Sequence, residues 1–122
     1  MIVNSYGMDY EVKVRLEVYL HTNSIAVALD YFDTEFQAFL PFANLTTCFG
    51  EKVADGMAYI DTNNYPWALD FIAEYDLGKP VMMGDMPCMG YSGYCAYPLY
   101  EFNMAKLEEL DPEGFKRFME GK

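Results

Sequence analysis

The sequence predicts an α+β fold: a small antiparallel β-meander, one amphipathic helix packed on it, and short C-terminal helices. Three observations carry this expectation. Apolar side chains alternate with a period of two from Tyr10 through the first forty residues; an apolar stripe of helical spacing follows Pro66; and Asn103 and Asp111-Pro112 stand where helices begin. At 122 residues the chain is expected to form a single domain, 1–122, because one core commonly spans about 100–150 residues.

From Tyr10 to Leu20 the even positions are Tyr10, Val12, Val14, Leu16, Val18 and Leu20, while Glu11, Lys13, Arg15 and Glu17 lie between them. That spacing gathers the apolar side chains on one face of a strand and would scatter them around a helix. His21-Thr22-Asn23-Ser24 supplies turn residues, and a second strand follows from Ile25 to Phe32. A third is expected from Glu35 to Phe42, with Phe36, Ala38, Leu40 and Phe42 on its apolar side. Pro41 lacks an amide hydrogen and marks an edge or an end. Residues 44–56 read as a loop with a helical turn, and Met57–Ile60 as a short fourth strand.

Asn63-Asn64-Tyr65-Pro66-Trp67 reads as a helix start, since Asn accepts hydrogen bonds from free terminal amides and Pro suits the first turn. Trp67, Phe71, Ile72 and Tyr75 then form one apolar stripe, with Asp70 and Glu74 facing water and Gly78 and Pro80 ending the helix. From Lys79 to Tyr97 periodicity is lost, and four Met, three Gly and two Pro predict a long irregular loop holding at most a short strand. Asn103 should cap a helix over Met104–Leu110, and Asp111-Pro112 should start a last one through Met119.

Composition excludes several function classes. With 52% hydrophobic and 17% aromatic residues, disorder across the chain is excluded. No stretch approaches the ~20 apolar residues of a membrane-spanning helix. Met1–Asp9 shows no basic region followed by an apolar run, so the expected compartment is the cytoplasm, without membrane contact. Nineteen acidic against eight basic residues give a net charge of −11, which argues against direct nucleic-acid binding. No nucleophile elbow or phosphate loop is present, and the expectation is a protein that is not an enzyme.

The three cysteines, an odd number, read as reduced thiols. Cys88 and Cys95, with Cys48 and His21 at other connections, offer the four ligands of a tetrahedral zinc site, although no closely spaced cysteine pair exists. The competing reading is that the thiols are small buried hydrophobes.

Charge distribution is the strongest functional signal. Residues 30–105 hold eleven acids and only two bases, Lys52 and Lys79, and so carry −9 of the −11. A solvated surface explains this equally well, but the sharper reading is a negative face that docks on a basic, nucleic-acid-binding groove of another protein. The candidate contacts are Asp30, Asp33, Glu35, Asp70, Glu74 and Asp76, with nearby tyrosines as aromatic anchors.

Two segments, Asp61–Ala68 (DTNNYPWA) and Ser92–Asn103 (SGYCAYPLYEFN), resemble a family of small acidic proteins of uncharacterised function carried on mobile genetic elements of gram-positive bacteria. The resemblance covers roughly the second half of the chain and assigns no catalytic residue. Some mobile-element proteins of this size and charge are anti-CRISPR proteins. The resemblance therefore implies an inhibitor that binds a type II Cas nuclease and blocks loading of guide or target DNA. The alternative is a zinc-stabilised accessory or regulatory domain of a mobile element.

Overall fold

The computed structural model describes residues 1–20 and 22–121. The fold is α+β and rich in strand: two antiparallel sheets, a separate hairpin and three short helices among the described residues. The first sheet has the order β1-β2-β3-β4, formed by Ile2–Ser5, Met8–Val18, Ile25–Asp33 and Ala38–Asn44. The expected meander is there, extended by a strand at its N-terminal edge. Alternation works as predicted in β2, where Val12, Val14 and Leu16 are buried between exposed Glu11, Lys13 and Glu17.

The first strand escaped prediction because its turn, Tyr6-Gly7, lacks the usual Asn or Asp, yet both residues have positive φ, 52° and 80°. Two left-handed residues are what a tight hairpin requires. At the other edge, Pro41 sits in β4, where its missing amide hydrogen faces no neighbouring strand. The β3–β4 register slips between Leu29 and Asp30, leaving Phe42 as the extra residue of a bulge. Phe36, expected on the apolar side of β4, lies instead in the exposed turn before it.

The chain passes to the second sheet at Leu45, whose amide donates to the Val27 carbonyl at 2.9 Å. This sheet has the order β10-β11-β6-β5, from Met89–Ser92, Cys95–Phe102, Met57–Ile60 and Thr46–Thr47, with β7 (Gly78–Pro80) also on β11. The region predicted as an irregular loop is therefore mostly strand. β7 and β10 take successive parts of β11, and between them Met82–Met83 (β8) and Met86–Pro87 (β9) pair only with each other. Periodicity was missing because this arm, β10 and the turn after it expose Met82, Met83, Met86, Tyr91 and Tyr94. Burial on one face, the cause of alternation, does not operate there.

α1 (Ala68–Glu74) begins after a turn rather than at an Asn cap: the Asp61 carboxylate accepts the Asn64 amide at 3.2 Å, and Trp67 stands at the N-cap without a side-chain bond. α2 (Met104–Leu110) and α3 (Pro112–Glu120) start where predicted, with Asn103 Oδ1 accepting from Lys106 and Asp111 Oδ1 from Gly114. One core joins both sheets to Ile72 of α1, Leu107 of α2 and Phe118 of α3. No helix among the described residues is long and apolar enough to cross a membrane.

Gly90 shows how tightly the second sheet is packed. A Cβ there would lie 2.5 Å from both Phe49 Cζ and Tyr59 Cε1, whose rings pack at a tilt with a 4.8 Å centroid spacing. Gly90→Ala should cost about 1–3 kcal/mol through overpacking, since the ring pair must move. Thermal unfolding followed by circular dichroism should show a Tm lower by several degrees.

Candidate functional site

A concavity of about 540 Å³ lies between the β1–β2 hairpin and the turn that leads into α1. Its size is that of a small-molecule or side-chain binding site. Five aromatic rings line it: Tyr6, Tyr10, Phe42, Tyr65 and Trp67. β2 presents Tyr10 on its apolar face, and the bulge delivers Phe42 beside it, with ring centroids 4.8 Å apart. Trp67 stacks on Phe42 at 5.9 Å, and Tyr65 lies 5.5 Å from Trp67. These spacings belong to attractive ring pairs, so the wall is preorganised. Tyr75 secures α1 to the hairpin, its hydroxyl accepting the Ile2 amide at 2.8 Å along the open edge of β1.

The polar lining is Asn4, Ser5 and Asn64. Asn4 Nδ2 donates to Asp9 Oδ1 at 2.8 Å, and Asn64 Nδ2 donates to Asp61 Oδ2 at 2.8 Å. Each amide thus directs one N–H at a carboxylate, which anchors it in the lining. An adjoining cleft shares Asn4 and Trp67 with the groove and adds Asp70 and Glu74. Among the described residues neither concavity is lined by Lys or Arg.

The six acids expected to make a partner surface fall into distinct settings. Asp70 and Glu74 are exposed on α1 in the cleft beside the groove, as predicted from their helical spacing. Asp76 is exposed just beyond that helix, within 3.5 Å of the Asn103 side chain. Asp33 ends β3 and organises the next turn by accepting the Glu35 and Phe36 amides, while Glu35 itself is free in solvent. The Phe36 amide chiefly, helped by the Tyr31 hydroxyl, holds the Asp33 carboxyl below its ordinary value, and the same bond raises Tyr31. Tyr31 in turn packs on Tyr10 and Phe42, which ties Asp33 to the groove's aromatic cluster.

Asp30 differs from the rest. It is only 7% exposed, and both its oxygens accept from Arg15 Nε, at 3.0 and 3.2 Å. Asp30 foremost raises the Arg15 pKa. Its charge is matched within the sheet and is not presented to a partner, a pairing that alternation alone did not reveal because Asp30 and Arg15 meet diagonally across strands.

The thiols are spread over the second sheet. Cys88 lies across from Leu99, which pairs with Tyr59, which pairs with Thr47 beside Cys48. Three interstrand steps put Cys48 about 14 Å from Cys88, and four residues along β11 put Cys95 about 13 Å from it. Thiolates sharing one zinc each lie only ~2.3 Å from the metal. Among the described residues no three His, Cys, Asp or Glu side chains form a metal-binding group, and His21 lies outside those residues. The Cys48 thiol lies 3.7 Å from the Thr22 hydroxyl.

Residues 13–121 match a domain of unknown function, DUF4313. The chain belongs to the DUF4313 family. No curated protein and no solved structure matches it. The DUF4313 match takes in β3 to α3 and most of β2, so Phe42, Asn64, Tyr65 and Trp67 come from the family region. Asn4, Ser5, Tyr6 and Tyr10 precede the match, and the hairpin they form closes one side of the groove.

Proposed function

We propose that this DUF4313 chain is a non-enzymatic inhibitor that binds a basic, nucleic-acid-binding surface of another protein in the cytoplasm. The observation that supports this reading is the aromatic groove bordered by the exposed Asp70 and Glu74, with no cation among the described residues of its lining. Rigid rings give contact area at low entropic cost, and the surrounding carboxylates steer a basic partner and compete with phosphate. The resemblance of Asp61–Ala68 and Ser92–Asn103 to mobile-element proteins narrows the partner to a type II Cas nuclease, whose guide or target DNA would be kept from loading.

The test is a DNA-cleavage assay in which the chain is added to the nuclease before or after target DNA. Inhibition is expected when the chain is added first and should be lost when DNA is already bound. It should also weaken as ionic strength rises, because exposed charges are screened over ~8 Å at physiological salt. Full cleavage in both orders removes the nuclease as partner.

A further inference from the structure

We infer that the aromatic groove is a socket for an arginine side chain of the protein partner. Three features of the groove select this chemistry, and the inference rests on the protein-binding reading above. First, Trp67, Phe42, Tyr10 and Tyr65 line one space as a cluster of packed rings, and aromatic rings attract cations. Second, Asn4 and Asn64 put side-chain amides in the lining, each anchored through one N–H to Asp9 or Asp61, and an amide carbonyl oxygen can accept from a guanidinium. A planar guanidinium can stack on rings while its edge donates to such oxygens; a lysine ammonium is compact and more strongly hydrated. Third, Asp70 and Glu74 stand in the adjoining cleft, so the entrance carries negative charge that a phosphate-bearing ligand would meet with repulsion.

Tyr6 adds an independent sign of function. It occupies a left-handed turn position, φ 52°, that Asn or Gly fills without strain, and its side chain is fully exposed at the groove. Folding alone gives no reason for a bulky ring there. A ring at the mouth of the socket gives one, since it adds an exposed aromatic surface against which a guanidinium can pack.

Trp67 is the chain's only tryptophan, so its fluorescence reads the socket directly. The full chain would be titrated with tri-arginine, tri-lysine and tri-citrulline peptides, the last matching arginine in shape without charge. Saturable change with tri-arginine is expected, at least ~5-fold tighter than with tri-lysine, and none with tri-citrulline. Tyr6→Asn should weaken tri-arginine ~5-fold while leaving the Tm unchanged or higher, because Asn suits the turn. Equal affinity for arginine and lysine peptides, saturation by tri-citrulline or by a nucleoside monophosphate, or undiminished binding by Tyr6→Asn would each overturn the inference. Arginine binding without inhibition of cleavage would sink only the nuclease reading. Inhibition without arginine preference would sink only the socket.

Discussion

Asp111→Ala is expected to destabilise the fold by about 2–4 kcal/mol, as a shift of the urea midpoint at unchanged m-value. β1 pairs with β2 only as far as Glu11, so beyond Val12 the alternate β2 amides that point away from β3 have no strand partner and turn toward the C-terminal helices. Asp111 supplies the missing acceptor: Oδ2 takes the Leu16 amide at 2.8 Å, and Oδ1 caps α3 through Gly114 at 3.1 Å. One carboxylate joins residues 95 positions apart. Losing the cap costs about 0.5–2 kcal/mol, and leaving the Leu16 amide unpaired costs about 1–3 kcal/mol more. Gly114 makes room for this arrangement, since a Cβ there would lie 2.2 Å from Asp111 Oδ2. Asp111→Asn should fall between alanine and the native residue. Its oxygen can still cap α3, but its amide nitrogen would confront the Leu16 amide, donor against donor. A midpoint for Asp111→Ala within experimental error of the native one would show that the Leu16 link does not hold in solution.

Asp111 also shows how far the sequence could be read. Its capping role was legible, because Asp before Pro at a helix start acts through neighbours in the chain. So were the caps at Asn103, the alternation of β2 and β3, and the bounds of Met57–Ile60. The bond to Leu16 was not legible, because a free strand edge is a property of the assembled sheet. The same limit applies to Asp30, whose pairing with Arg15 depends on register. The arm at residues 82–87 failed for another reason. Exposed Met and Pro produce no alternation, so pairing held by backbone bonds leaves no trace in the side-chain pattern. The groove was half visible. Tyr65-Pro66-Trp67 stood out as a helix start, but its partners Tyr10 and Phe42 arrive through a hairpin and a bulge that no local signal announces. Tyr6 before Gly7 was the one clue available, an aromatic where a turn former belongs.

Reversing charge at Asp70 and Glu74 together should weaken the complex with the partner at least ~100-fold, mostly through slower association at low salt. Both side chains are exposed and make none of the fold's ion pairs among the described residues, so Asp70→Lys with Glu74→Lys should keep the native circular dichroism spectrum. Asp70 does lie in the first turn of α1, where a lysine opposes the helix dipole by about 0.3–1 kcal/mol, a cost too small to unfold the domain. The informative control is Glu108→Lys with Glu109→Lys on α2. Those acids are equally exposed, outside both concavities, and their reversal also moves the net charge from −11 to −7, two charges changing by two each. If the chain acts by bulk negative charge, the two double variants lose affinity alike. If the groove and its acidic flank are the docking site, the α1 variant loses inhibition while the α2 variant loses at most a few-fold, the scale of a rim charge. Position then outweighs total charge, and an excess of acid spread along the sequence acts through the two carboxylates that the fold sets beside Trp67.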